Sequence, residues 1–193
     1  MSFSYSDKAY HKAELDTYNK HLAMSFQQYL TEKNIRFHRE TNGLNTRIIF
    51  FATDEMLANA QIAHDNMLPA CLAAEKTLYE RRELLSKYFN YVETLDNCEL
   101  MLHMKATPDD TTSGDILTIR VNPGGDGIIK WDQILSMISW ERKRIGNLPQ
   151  YLREIYLMDK TYDDVLELAN QINKRLDDCL EAVSAKITSE SFA

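Results

Sequence analysis

Apolar residues recur at helical spacing in several long stretches of the chain, and two shorter stretches alternate between apolar and polar residues. The first helix is predicted from Asp7 to Glu32, because its apolar residues recur at steps of three and four. A second helical pattern runs from Thr53 to about Leu95. Pro69 interrupts this pattern, and we expect a kink or a break there because proline removes a backbone donor. The remaining predicted helices are 130–145, 149–158 and 161–187.

The alternating stretches predict two β-hairpins. The first hairpin joins strands at 35–39 and 46–52 through turn residues that accept positive φ, and the second joins strands at 98–105 and 115–121. The run Ile48–Phe51 is apolar on both faces, so we expect this strand to be central in its sheet or covered on both sides. Two hairpins between helices predict an α+β fold, with a four-stranded antiparallel sheet flanked by about five amphipathic helices.

The chain has 193 residues, of which 44% are hydrophobic, and this length is enough for one domain with a buried core. We predict a single domain over 1–193, with a helix–hairpin–helix–hairpin–helix core at 1–147 and a C-terminal helical extension at 148–193. At the level of architecture, this order of helices and hairpins resembles that of small secretion-chaperone proteins.

The net charge is −7, which disfavours general attraction to nucleic acids or to anionic membranes. No apolar run approaches the roughly 20 residues that span a bilayer, and the N-terminus lacks the features of a signal peptide. The three cysteines, Cys71, Cys98 and Cys179, are far apart and form no CxxC pair, which indicates buried thiols in a reducing compartment. We therefore expect a cytoplasmic protein that makes no contact with membranes.

Residues able to carry out chemistry are few and scattered. His103 and Glu99 share one face of a predicted strand, and His38 would join them if its own strand were the neighbour in the sheet. The Gly124–Gly127 loop joins a strand to a helix. None of these residues has the spacing of a metal site or of a phosphate-binding loop. We therefore predict no catalytic residue, metal or cofactor. A hydrolase or transferase site around the second hairpin remains as an alternative hypothesis.

The last predicted helix carries an unusually regular apolar stripe, which either packs on its own domain or pairs with a second chain. The residues predicted for interaction are Val165, Ile172, Leu176, Val183 and Ile187. Together with the missing catalytic motifs, this stripe favours a non-enzymatic protein-interaction module, such as an adaptor, a chaperone-like subunit or an inhibitor. We expect it to bind a protein partner and to self-associate through helices, for example as a homodimer.

One basic cluster with an aromatic residue offers a second alternative, which is nucleic-acid binding. Its residues are Lys130, Trp140, Arg142, Lys143 and Arg144. Cations neutralise phosphates and aromatic rings stack on bases. Cations at the end of a helix also complement the helix dipole, and the overall acidic charge opposes nucleic-acid binding. The sequence therefore places this alternative below protein interaction.

Overall fold

A computed structural model of the protein describes residues 9–106, 114–121, 129–145 and 161–191. The described strands are β1 (His11–Thr17), β2 (Phe37–Asn42), β3 (Asn45–Ala52), β4 (Tyr91–Thr94), β5 (Leu100–Met104) and β6 (Leu117–Val121). The described helices are α1 (Lys20–Glu32), α2 (Asp54–Leu85), α3 (Trp131–Ile145) and α4 (Tyr162–Ser191). The predicted helix at 149–158 and the Gly124–Gly127 loop lie outside the described residues.

The α+β class is confirmed, and both predicted hairpins form antiparallel pairs, β2 with β3 and β5 with β6. The single four-stranded sheet is wrong. The described strands form two three-stranded antiparallel sheets, ordered β1-β3-β2 and β4-β5-β6, and the described helices number four rather than about five. The difference arises because β1 and β4 lie in segments predicted to be helical.

Strand β1 alternates between inward and outward residues. Ala13 and Leu15 pack against a hydrophobic core, while Lys12, Glu14 and Asp16 are exposed. The spacing from Leu15 to the apolar residues of α1 also fits a helix. The pattern in the sequence therefore predicts a helix that begins too early in the chain. Pairing of β1 along the whole of β3 satisfies the backbone groups of the strand and favours the extended conformation.

Helix α1 is limited at both ends by specific residues. The side-chain oxygen of Asn19 accepts a hydrogen bond from the Leu22 backbone N–H at 2.8 Å, which caps the start of the helix. At the other end, Asn34 adopts a left-handed backbone conformation with φ of 54°. The carbonyl of Leu30 then accepts a hydrogen bond from the Ile35 N–H at 2.9 Å. These caps position α1 directly after β1.

The chain divides into two compact units, Met1–Tyr79 with Asp96–Cys98, and Glu80–Leu95 with Glu99–Ala193. We call them unit 1 and unit 2. The division falls within α2, and the units do not coincide with the predicted parts 1–147 and 148–193. Among the described residues, no helix is both long enough and apolar enough to cross a membrane.

In unit 1, the inner face of the β1-β3-β2 sheet packs against the apolar sides of α1 and α2. The buried residues of this core are Ala23, Phe26, Leu30, Ile35, Ile48, Phe50, Ala52 and Ala60. The outer face of the sheet is exposed, and Phe51 retains 55% of its accessible surface. Strand β3 is the central strand of its sheet, which is one of the two expected arrangements, and the described residues do not cover it on both faces. Helix α2 continues through Pro69, so the predicted break is absent.

The short turn Asp96–Cys98 belongs to unit 1 although its flanking strands belong to unit 2. The Asp96 carboxylate lies 3.5 Å from Lys20 Nζ and 3.2 Å from Arg39 Nη2. Cys98 is buried in a left-handed backbone conformation with φ of 62°. Burial raises the pKa of the Cys98 thiol to about 11. Ion pairs and burial therefore hold this turn within unit 1.

In unit 2, α3 contacts both α4 and strand β6. The buried apolar residues of these elements and of the β4-β5-β6 sheet form the core of the unit. The most completely buried of them are Val92, Leu100, Leu102, Met104, Ile119, Ile134, Ile138, Leu176 and Val183. Tyr88 packs edge-on against Trp131, with ring centroids 5.2 Å apart. This core holds α3 beside the edge of the sheet, where the candidate site lies.

Candidate functional site

A groove of about 540 Å³ lies between strand β6 and helix α3 in unit 2. We call it the β6–α3 groove. Its lining residues are Ile116, Leu117, Thr118, Ser136, Met137, Trp140, Glu141 and Arg144. Pockets of this size hold small ligands or short segments of a chain.

The wall on the strand side is the edge of a sheet. Ile116 directly precedes β6, and Leu117 and Thr118 are the first two residues of the strand, whose side chains point to opposite faces. A groove lined by both of these strand residues lies along the backbone at the start of the strand. Strand β6 is the outermost strand in the order β4-β5-β6, and its outer edge has no strand partner among the described residues. An unpaired edge presents backbone donors and acceptors to any extended chain beside it.

The wall on the helix side is largely apolar. Met137 and Trp140 are three positions apart and so lie on one face of α3. Met137 retains 41% of its accessible surface and Trp140 retains 65%, which is high for two large apolar side chains. These two residues offer contact area for the side chains of a bound segment.

The charged groups of the groove neutralise one another. Glu141 is buried, and its carboxylate accepts hydrogen bonds from the Arg144 guanidinium, with Nε 2.9 Å from one oxygen and 3.0 Å from the other. The two residues are three positions apart on α3, so the helix itself brings them together. The groove therefore carries little net charge to attract either an anion or a cation.

The predicted nucleic-acid patch includes one side of this groove, and the structure places its cations in different settings. Arg142 donates to Asp177 through Nε at 2.7 Å and through Nη2 at 3.1 Å, and it also donates to the Asn173 side chain at 3.0 Å. These bonds raise the pKa of Arg142 and lower the pKa of Asp177. Lys130 and Lys143 are exposed.

Two arginines of the patch are thus engaged with carboxylates on α3 and α4, and less positive charge is available for phosphates. Trp140 remains exposed beside them. Nucleic-acid binding stays a prediction, and the arrangement does not add to it.

The predicted interaction stripe on α4 packs within its own chain. Ile172, Leu176 and Val183 are buried in unit 2, and Ile187 is half-buried. The side chain of Val165 lies outside the described part of the chain. A residue that the monomer already buries cannot contact a partner without rearrangement, so Ile172, Leu176 and Val183 offer no open surface. The search for a binding surface therefore moves to other elements.

His103, the residue of the catalytic hypothesis, is half-buried on the second sheet. Its Nδ1 lies 2.6 Å from Asp115 Oδ2, and its Nε2 lies 3.6 Å from Glu93 Oε2. Nε2 is buried and has no hydrogen-bond partner among the described residues. A general base must reach the proton that it abstracts. Glu99 accepts a hydrogen bond from Arg120, and His38 belongs to unit 1.

The hydrolase or transferase hypothesis therefore gains no support from the geometry around His103. Among the described residues, no group of three histidine, cysteine or acidic side chains is arranged to hold a metal ion.

Sequence reasoning identified Trp140 and Arg144 but missed the other residues that line the groove. The apolar residues Trp131, Ile134, Leu135 and Ile138 recur at helical spacing and form one stripe of α3. Met137 and Trp140 lie outside that stripe and are themselves at helical spacing. This second apolar face of α3 is the feature of the sequence that could have indicated the groove. The edge position of β6 has no local signal, because it depends on how distant strands pair. Comparisons with protein-family models, with curated proteins and with solved structures find no match.

Proposed function

We propose that the protein is a non-enzymatic protein-interaction module, and that it binds an extended, uncharged segment of a partner protein in the β6–α3 groove. The observation that carries the proposal is a strand edge without a strand partner in the described part of the chain, next to an exposed apolar helix face. Adaptors and chaperone-like subunits recognise partners in this way. An extended segment joins the sheet through main-chain hydrogen bonds, and neighbouring pockets select its side chains.

The strand edge argues for a polypeptide as the ligand. Backbone N–H and C=O groups along β6 require a partner with the same repeat, which another β-strand supplies. Strand β6 contains five residues, of which Leu117 and Thr118 line the groove together with the preceding Ile116. An extended segment that pairs with the whole strand would therefore begin in the groove and continue beyond it along the strand edge.

The helix wall argues for an apolar and uncharged segment. Every second side chain of the bound strand points towards α3, where it meets Met137 and Trp140. Because Glu141 and Arg144 already neutralise each other, a charged side chain of the ligand would lose water without gaining a partner. Residues such as Val, Ile, Leu or Phe at alternate positions fit this wall best.

The test is a selection of peptides on the full chain, followed by affinity measurements. A library of random 12-residue peptides is displayed and selected, and the recovered peptides are titrated by calorimetry and by tryptophan fluorescence. Trp131 is buried and Trp140 is exposed, so a shift of emission to shorter wavelength reports burial of Trp140. Met137→Glu is expected to weaken binding at least about tenfold, because it places a charge in the apolar wall.

Leu166→Glu is the matched control, since Leu166 retains 39% of its surface and lies on α4 outside the groove. Its expected effect is less than about twofold, as for other surface substitutions. Methylation of alternate backbone amides of the peptide should abolish binding when it removes the donors that face β6, and should leave binding intact at the intervening positions. Selected peptides that bind equally well to Met137→Glu, or that tolerate both methylation patterns, would show the proposal to be wrong.

A further inference from the structure

The outer face of the unit 1 sheet is an exposed surface with an ordered distribution of charge. The register places Lys12 opposite Phe51, Glu14 opposite Ile49, and Asp16 opposite Arg47. On the other side of β3, His38 lies opposite Ile49 and Glu40 opposite Arg47. Phe51 and Ile49 therefore form an apolar centre between charged flanking strands.

The two ends of this face carry opposite charge. Lys12 on β1 and Arg36, immediately before β2, flank the end that contains Phe51. Asp16 and Glu40 flank the other end on either side of Arg47. Arg47 pairs with Asp16 at 3.0 Å, so Glu40 leaves this end acidic overall. A surface with one basic and one acidic end is complementary to itself when its direction is reversed.

We propose that this face binds a second copy of the chain across a two-fold axis. The axis lies in the plane between the two sheets, runs perpendicular to the strands and passes over Ile49. This inference does not depend on the β6–α3 groove, which lies in unit 2. Reversal about that axis places Lys12 over Asp16 of the second copy and Arg36 over Glu40 of the second copy. Each pair occurs twice, which gives four ion pairs around an apolar centre.

The apolar centre and the central arginine also match under the same reversal. Ile49 meets its own counterpart at the axis, and Phe51 lies over Arg47 of the second copy, where a guanidinium stacks favourably on an aromatic ring. Glu14 and His38 both lie opposite Ile49, so each meets its own counterpart near the axis, and the contact between the two Glu14 carboxylates is unfavourable. Lys12 Nζ lies 3.8 Å from Glu14 within the same chain and reduces that repulsion.

The size of the face sets the strength of the association. Three strands about 4.8 Å apart and about five residues long cover on the order of 300 Å² per copy. Stable interfaces bury about 800 Å² per partner. We therefore expect a weak dimer whose population depends on concentration.

The first test is analytical ultracentrifugation of the full chain between about 10 μM and 1 mM at low salt and neutral pH. The wild type should pass from monomer to dimer across this range. Phe51→Thr introduces a β-branched residue, which suits a strand, and should weaken association at least about tenfold. Leu72→Ala is the matched control, because Leu72 on α2 is also 55% exposed but lies away from the sheet, and it should leave association unchanged.

The second test is a charge exchange. Arg36→Glu and Glu40→Arg should each weaken self-association about tenfold, because each replaces two attractive contacts with two repulsive ones. In a mixed dimer of the two variants, both contacts between positions 36 and 40 join opposite charges. An equimolar mixture should therefore associate more strongly than either variant alone. Glu14→Gln should strengthen the dimer by a few fold, because it removes repulsion at the axis.

A wild-type chain that remains monomeric at 1 mM would overturn the proposal. A dimer that persists in Phe51→Thr would assign association to another surface. Variants that do not complement each other in the mixture, or a Glu14→Gln chain that associates no more strongly than wild type, would overturn the two-fold arrangement at Ile49. Circular dichroism of each variant establishes that the sheet has formed before its association is measured.

Discussion

Replacement of Leu176 by alanine tests whether α4 is part of the core of unit 2. Leu176 has no accessible surface, and it lies on the buried side of α4 with Ile172, Cys179 and Val183. Helix α4 packs against α3, whose Ile134 and Ile138 are also buried. Alanine removes three carbon atoms and leaves a cavity that this interface closes only in part.

The expected loss follows from complete burial. Leucine-to-alanine changes at fully buried sites reduce the free energy of unfolding by about 3 kcal/mol or more. If unit 2 opens cooperatively, that loss raises the population of its open form about 100-fold, since 1.4 kcal/mol corresponds to a factor of ten.

Cys179 provides the assay, because it is buried beside Leu176 on the same helix. Burial raises the pKa of its thiol to about 11 from an ordinary value of 9.0, so at pH 8 the native thiol is about a hundred times less ionised than in the open chain. Labelling of Cys179 by a thiol reagent, followed by mass spectrometry of the digested protein, therefore reports the open form. Labelling should be about 100-fold faster in Leu176→Ala.

Leu166→Ala is the control on the same helix, because Leu166 is partly exposed and its loss should change the rate less than about twofold. Cys71 and Cys98 lie in unit 1 and serve as internal references. If Leu176→Ala labels Cys179 at a rate within threefold of wild type, the assignment of Leu176 to the core is wrong. If Cys71 and Cys98 accelerate as much as Cys179, the two units open together.

Three further substitutions test local features by urea unfolding. Asn19→Ala should cost about 1 kcal/mol, because it removes the cap of α1 and the bond from the Asn19 amide to the Cys71 carbonyl. Pro69→Ala should add about 2 kcal/mol, since it restores a hydrogen bond inside α2. Asp177→Asn should cost less than about 1 kcal/mol at pH 7, because the pair with Arg142 is largely exposed. The Arg142 pair lowers the pKa of Asp177 below 3.8 in the folded chain, so its contribution is present above that pH and is lost on acidification. The asparagine variant should therefore lose less stability than wild type between pH 5 and pH 2.

The long elements were predictable because their patterns repeat over many residues. Helices α3 and α4 and the β2–β3 hairpin agree with their predicted positions, and Gly43 has the positive φ that the turn requires. Strand β4 has only four residues, Tyr91–Thr94, directly after a long helix. A stretch that short does not establish an alternating period, so the prediction extended the preceding helix over β4.

The candidate site was less predictable, because it depends on contacts between distant parts of the chain. Arg142 belongs to a basic triplet in the sequence, but its partners Asp177 and Asn173 lie more than thirty residues later. The stripe on α4 has the same local pattern whether it faces its own core or a second chain. Strand order likewise decides that β6 is an edge, and no residue within β6 encodes that order.

The assignment of the Asp96–Cys98 turn to unit 1 has a consequence for synthesis on the ribosome. Lys20 and Arg39 emerge early, but the carboxylate of Asp96 that pairs with them follows only after all of α2 and β4. At about 5–20 residues per second, the nascent unit 1 waits on the order of seconds for its last segment. A gene fragment that stops at Tyr79 would therefore express unit 1 without Asp96 and the buried Cys98, and no single cut in the coding sequence separates the two units intact.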